Sequence, residues 1–314
     1  MKKFALFIGC NIPAKVPQYE TSARAVLKKL NIDVADIKDF NCCGYPLKNT
    51  DTAAWILSSA RNIALAEKDG NQILTLCKCC FGSLKKADAM LTQDHNLKAE
   101  INNILGREGL KYQGTCAISH YLSVLHHDVT IDELNKKVVE QYKDLKIATH
   151  YGCHALRPSD IMKFDDPVSP SLFDNLVNVT GAISIDWPSK LDCCGAPVLG
   201  MNDNLSFDLT EKKLSNARKA GADFICVACP WCHMQFDKIQ NQIVANRNIG
   251  HTLPSILYTQ LLGLSLGIEK KELGIDIQES GSLKEIYSKL FDYKDKDLEK
   301  NDPIKKKKLK KETP

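Results

Sequence analysis

Short apolar runs alternate with amphipathic stretches along most of the chain. Phe4-Ala-Leu-Phe-Ile-Gly9 is a continuous apolar run that predicts a buried strand ending at Cys10. Tyr19, Ala23, Val26, Leu27 and Leu30 then recur at helical spacing and predict a helix over residues 19–30. Val34 to Ile37 reads as a strand leading into a Cys-Cys-Gly turn. There Gly44 can take a backbone conformation other residues resist, and Pro46 cannot continue a ladder. A helix starts near Asp51 as N-cap, carries Trp55, Ile56, Ala60 and Ile63, and stops at Gly70. Gln72 to Leu76 is a strand running into Cys77-Lys78-Cys79-Cys80, with a helix from Phe81 onward.

The second half replays this order: strand 147–152, helix 171–179, strand 182–187, Cys-Cys-Gly, helix 209–220, strand 223–228 and another C-x-x-C. Strands alternating with helices imply parallel sheets. The expected fold class is therefore α/β, with two pseudo-symmetric lobes, each a small, mainly parallel sheet flanked by helices. Residues 1–145 would form the first lobe plus a helical connector over 91–145, and 146–268 the second lobe, closed by a core helix over 253–268. Residues 269–314 are charged and poor in apolar residues, and read as a largely flexible tail.

Composition narrows the function. The chain of 314 residues has a net charge of +4, but its last ten residues hold six Lys and one Glu. The rest is close to neutral, which argues against a nucleic-acid partner; docking to an acidic partner or membrane surface is a second reading of the tail beside a solvated charge run. Met1-Lys2-Lys3 and the apolar run to Cys10 have the outline of a lipoprotein signal. That run is about six residues against the roughly 7–15 of a working signal, and Lys3–Cys10 matches Lys146–Cys153 in mid-chain. The apolar stretch Leu253 to Ile268 falls short of the roughly 20 residues of a span, so no membrane span is expected. Thirteen cysteines in a chain of this size, in adjacent and C-x-x-C pairs, favour ligation in a reducing, cytoplasmic setting over disulfides.

Ten of those cysteines fall into two sets of one pattern. Cys10, Cys42, Cys43, Cys77 and Cys80 form C-x31-CCG-x32-C-x-x-C; Cys153, Cys193, Cys194, Cys229 and Cys232 form C-x39-CCG-x33-C-x-x-C. Each lobe thus brings thiols from three loops to one edge of a parallel sheet, where α/β sites form. Thiolates are the ligands of iron–sulfur clusters and structural zinc, and five exceed the four that tetrahedral zinc takes. Helices starting after Cys80 and Cys232 would aim unpaired N–H groups at an anionic group.

This repeated pattern resembles the cysteine-rich (CCG) domain family and, within it, the B subunits of heterodisulfide reductases. The likeness covers residues 1–268, including Tyr151-Gly152-Cys153-His154 and the stretch Pro254 to Gly267. It implies a non-cubane [4Fe–4S] cluster on each five-cysteine set and a disulfide split between the two clusters. It also implies partners: a C-type iron–sulfur subunit, an A-type flavoprotein, and a small disulfide or thiol substrate, or a lipoyl carrier protein in sulfur-oxidising relatives. Some relatives are instead electron-relay or anchoring subunits of dehydrogenase complexes. The chain has no G-x-G-x-x-G fingerprint, so electrons would pass to or from other subunits.

Aligning the repeats sorts the remaining residues. Cys79 falls opposite Trp231, and Cys226 opposite Leu74 inside a strand, where it reads as a small buried hydrophobe. Cys116 reads as a core residue ahead of a helix. Trp231, between two ligands, would screen the site from water. His150 and His154 flank Cys153, and either could donate a proton to a nascent thiolate or hydrogen-bond a cluster sulfur, with a packed or solvated imidazole as the alternative. His120, His126 and His127 read as structural or exposed residues of the connector helix.

Overall fold

A computed structural model of the chain describes residues 3–247 and 252–275. Eight strands, β1 (Phe4–Phe7), β2 (Val34–Ala35), β3 (Gln72–Thr75), β4 (Ile118–His120), β5 (Lys146–His150), β6 (Ile183–Ser184), β7 (Phe224–Val227) and β8 (Ser255–Leu257), form two four-stranded sheets. Their orders, β2-β1-β3-β4 and β6-β5-β7-β8, are the same topology run twice, and every pairing is parallel. The fold is the two-lobed α/β arrangement expected from the pattern.

The central strands are buried along their length, β1 as Phe-Ala-Leu-Phe and β7 as Phe-Ile-Cys-Val. Continuous apolar strands need cover on both faces, which the crossover helices supply. Thr52–Lys68 and Asp203–Lys219 are equivalent helices of the two lobes, capped by Asp51 and Asn202, whose side chains accept from Ala54 N and Leu205 N. The second helix starts six residues before the expected residue 209, because Asn202 stands in the repeat where Asp51 stands and caps in the same way.

Two differences from the pattern have one cause. The connector is not wholly helical, since β4 lies in it, and the expected core helix over 253–268 begins with β8 before the helix Tyr258–Ser265. Both strands have three residues, too short to show a period, and their pairing with β3 and β7 is set by the sheet. They are nevertheless a repeat of each other. Each runs into a tyrosine that opens a helix, and the buried rings of Tyr121 and Tyr258 lie 6.4 Å apart across the lobes. The packed chain also continues past Ile268: Leu273 and Ile275 are buried, Leu273 against Gly263. Residues 276–314, with the lysine run, lie outside the described residues.

One apolar core spans both lobes. The helix Pro17–Lys29 of the first lobe packs on Tyr258–Ser265 of the second, where Ser22 and Thr259 hydroxyls meet at 2.6 Å. The C-terminal edges of both sheets thereby face a common seam.

Candidate functional site

All thirteen cysteines are thiols outside any disulfide. Cys10 and Cys153 follow β1 and β5, each after a glycine with positive φ (Gly9, +64°; Gly152, +73°). Cys77 and Cys229 follow β3 and β7 and precede the helices that start at Lys78 and Pro230. The first N–H groups of these helices point back at the thiols, a direction that favours negative charge.

The Cys-Cys-Gly loops lie directly on the helix that follows. Gly44 (φ +79°) and Gly195 (φ +92°) are the contact points: a Cβ would sit 2.8 Å from the Trp55 carbonyl oxygen in one lobe and 2.5 Å from that of Ser206 in the other. Only glycine permits that approach. Buried side chains then tie down the loop carbonyls. Ser59 and Ser83 donate to Cys43 O at 2.7 and 2.9 Å, and Thr210 donates to Cys194 O at 3.0 Å. Asn62 donates to Cys42 O (3.2 Å) and accepts from Asn41 N (2.9 Å). Its counterpart Lys213 donates to the Ser189 carbonyl and to that of Asp192 (3.0 Å). These carbonyls of the loops are thereby satisfied locally.

The thiols form one chain. Cys10 and Cys42 Sγ are 3.6 Å apart. Contacts with Cys10 and Cys43 and the Gly44 N–H hold Cys42 down to about 2. Cys193 is held down to about 2 by Cys153 and Cys194 and by the Gly195 N–H. Their neighbours Cys43 and Cys194 are pushed up to about 12, first by the bonds to Cys42 and Cys193. The first cysteine of each Cys-Cys pair is thus held low in both repeats, and Cys229 is held low in the second as well. Across the seam, Cys77 Sγ is 3.9 Å from Cys229 Sγ. The sulfurs of Cys77, Cys79 and Cys229 lie within 4.8 Å of one another, as do the ligand atoms of His150, Cys194 and Cys232.

A cavity of about 390 Å³ opens on the seam, with Cys153, Cys194, Cys229 and Cys232 in its wall. Tyr45 and Pro46 of the first Cys-Cys-Gly loop and Ala196 and Pro197 of the second all line it. The first set packs in a tight pocket of about 10 Å³, and Cys79, Tyr45, Pro46 and Trp231 line both spaces. Cys79 and Trp231, opposite each other in the repeats, are thus the partition between the two sets.

The histidines separate. His154 stands in the seam: its Nε2 is 3.2 Å from the Tyr45 hydroxyl, and its Nδ1 is 3.6 Å from both Cys153 and Cys79 Sγ. Burial lowers its proton affinity, against the charge of the nearby thiols. His150 is buried beside Cys194 and Cys232 instead of Cys153, and neither ring nitrogen has a partner among the described residues. His120 is buried at the end of β4 and not on a helix, while His126 and His127 stack on each other away from the seam. Cys226 is fully buried within β7, and Cys116 bonds the Asn71 and Ala117 carbonyls, both away from the seam. Two lysines went unseen in the sequence. Lys78 is 2 % exposed and Lys213 1 % exposed, both near the second set. A lysine between two cysteines or on a helix gives no period to mark it as buried.

The donors suit an anionic, thiolate-ligated group. Each repeat offers a set of sulfur ligands, and buried polar groups without partners, Asn11 Nδ2 in the first and the His150 ring in the second, stand beside the thiols. Fold and thiols together define a cysteine-rich, metal-binding protein of two parallel lobes.

Comparison places it further. A model of the cysteine-rich domain (CCG) matches residues 4–85 and 147–237. The chain is 39% identical over 296 residues to the B subunit of the ferredoxin/F(420)H(2)-dependent CoB-CoM heterodisulfide reductase of Methanosarcina acetivorans, covering 91% of this chain and 98% of that one. It is 33% identical over 276 residues to the 8-methylmenaquinol:fumarate reductase membrane anchor subunit of Wolinella succinogenes, covering 88% and 96%. Among solved structures, a hypothetical protein from Helicobacter pylori superposes with a TM-score of 0.70 at 17% identity, over 88% of this chain and 51% of that one, a likeness of fold. The chain belongs to the cysteine-rich (CCG) domain family and, within it, to the group of heterodisulfide reductase B subunits. Among the described residues no helix is long and apolar enough to cross a membrane.

Proposed function

We propose that the chain is the disulfide-active subunit of a cytoplasmic heterodisulfide reductase-like complex. In this reading Cys10, Cys42, Cys43, Cys77 and Cys80 hold one [4Fe–4S] cluster, and Cys153, Cys193, Cys194, Cys229 and Cys232 hold the other, both of the non-cubane kind. Bound there, the clusters would supply electrons one at a time. Reduction of a disulfide takes two electrons and two protons and yields two thiols. With no nucleotide fingerprint in the chain, the electrons come from a C-type iron–sulfur subunit and an A-type flavoprotein.

The observation that carries the reading is the 3.9 Å approach of Cys77 to Cys229, which sets both thiol groups on one seam beside the cavity. The cavity takes the disulfide, with Pro46 and Pro197 as part of its apolar lining. His154 is placed as the proton donor: in its protonated form its Nδ1 reaches Cys153 Sγ at 3.6 Å, and the Tyr45 hydroxyl, 3.2 Å from Nε2, holds the ring in place. Trp231 keeps water from the partition. The unpartnered ring of His150 offers a donor to a sulfur on the second set.

The likeness to a membrane anchor subunit favours a second reading, an electron-relay subunit without disulfide chemistry. One experiment separates them. The anaerobically purified protein, reduced chemically, is mixed with low-molecular-weight and lipoyl disulfides, and released thiol is titrated. Release by the wild type, abolished by Cys42→Ser and equally by Cys193→Ser, is expected. A half-rate enzyme in either variant would refute the shared site, and no release with any disulfide favours the relay.

A further inference from the structure

The two lobes repeat each other in strands, thiols and loop carbonyls, but not in charge. Lys213 sits on the buried side of the Asp203–Lys219 helix, under the second Cys-Cys-Gly loop, with its ammonium bonded to the Ser189 and Asp192 carbonyls and over the Trp187 ring at 4.9 Å. The residue at the matching place in the first repeat is Asn62, which performs the same bracing of its loop without a charge. The bracing therefore does not require a lysine.

Lys78 adds to the imbalance. It belongs in sequence to the first lobe's C-x-x-C, yet its side chain crosses the seam. Its ammonium donates to the His150 carbonyl (3.1 Å) and lies 4.8 Å over the Phe173 ring, and its stem packs on Gly152. No carboxylate bonds either ammonium among the described residues. The thiols whose charge acts on Lys78 are Cys232, Cys229, Cys226 and Cys153, and the groups acting on Lys213 are Cys194, the Asp192 carboxylate, Cys232 and Cys193; all are in the second lobe. The pocket holding the first set has no charged residue in its lining.

We infer that Lys78 and Lys213 are buried counter-charges that make the second thiol set the electron-accepting one of the pair. Two ammonium groups in a low-dielectric interior attract negative charge, and reduction adds negative charge to a thiolate-ligated group. The second set is reduced first, at the higher potential, and the first set passes electrons toward it. The direction of electron flow across the seam is thus built into two positions that the repeat does not conserve internally. Burial lowers the proton affinity of both lysines, that of Lys213 to about 8, and the negative charge of the second-lobe thiolates opposes the fall.

This inference rests on the proposed two-cluster reading, and the test keeps the two apart. The protein is purified anaerobically, assayed for iron and sulfide, and titrated with dithionite and mediators under paramagnetic resonance. Cys193→Ser marks which signal belongs to the second lobe. Two signals are expected, with the second-lobe one reduced first. Lys213→Asn, the residue of the first repeat, and Lys78→Gln should each move that signal to lower potential and leave the other in place, while Lys213→Arg, which keeps the charge, restores it. Two clusters with one shared potential in the wild type, a first-lobe signal reduced first, or charge-removing variants that shift both signals alike would overturn the inference. Iron and sulfide too low for two clusters would overturn the two-cluster reading and the inference with it. The wild-type titration decides the order even if a lysine variant fails to fold.

Discussion

Gly195→Ala tests how the thiol loops are held. The repeat supplies its own control, because Gly195 and Gly221 have similar left-handed backbones, φ +92° and +86°, in different surroundings. A Cβ at Gly221 meets nothing within 4 Å, whereas one at Gly195 would lie 2.5 Å from Ser206 O. Placing alanine at positive φ costs about 1–2 kcal/mol, partly offset by the roughly 0.4–1 kcal/mol that a stiffer unfolded chain returns. Gly221→Ala should therefore destabilise by about 1 kcal/mol. Gly195→Ala carries that cost and must also push the loop off its helix, an overpacking cost of about 1–3 kcal/mol. A total of about 2–4 kcal/mol follows. The first lobe offers the same pair in Gly70 (φ +66°, open) and Gly44 (φ +79°, 2.8 Å from Trp55 O). Denaturant unfolding of the four variants, with iron content measured on each, reads both effects. If Gly195→Ala were no worse than Gly221→Ala, close packing of the loop would not be what fixes its thiols.

Other expectations follow from single contacts. Cys43 O accepts from two hydroxyls and Cys194 O from Thr210, so Thr210→Val should cost about 1–3 kcal/mol and Ser59→Ala about 1, read by the same unfolding curves. Cys226→Ala and Cys116→Ala should keep both clusters, whereas Cys42→Ala and Cys193→Ala should each lose one by metal analysis; loss of iron in Cys226→Ala would break the alignment of the repeats. Tyr45→Phe should slow thiol release by removing the group behind His154 while iron content stays at the wild-type value. Acid should unfold the protein partly through His120, which burial and then the charge of Lys78 push down to about 3. An unfolded histidine takes its proton near 6.5, so this stability is complete above that pH and falls toward pH 3 by up to about 1.4 kcal/mol per pH unit. His120→Leu should flatten the stability curve between pH 6.5 and 4; parallel curves would contradict the assignment.

Much of the fold was legible because the chain states it twice. The central strands β1, β3, β5 and β7 are short, largely buried runs that end two or three residues before a cysteine. The edge strands β4 and β8 were not legible, since three residues show no period, although the shared tyrosines at their ends held the clue. The thiols could be grouped from spacing, but their meeting across the seam could not. Cys77 and Cys229 are brought together by packing of the helix Pro17–Lys29 on Tyr258–Ser265, a contact between distant parts of the chain. The same holds for Tyr45 and His154, and for Lys78, whose side chain enters the other lobe. Local pattern fixes which residues reach a sheet edge; only the docking of the two sheets decides which of them touch.

The central claim is that each thiol set holds a four-iron cluster. Purification without oxygen, followed by iron and acid-labile sulfide analysis per chain, tests it most directly. About eight iron atoms with matching sulfide are predicted, on four irons per set. Zinc bound in place of iron, with no labile sulfide, would contradict it.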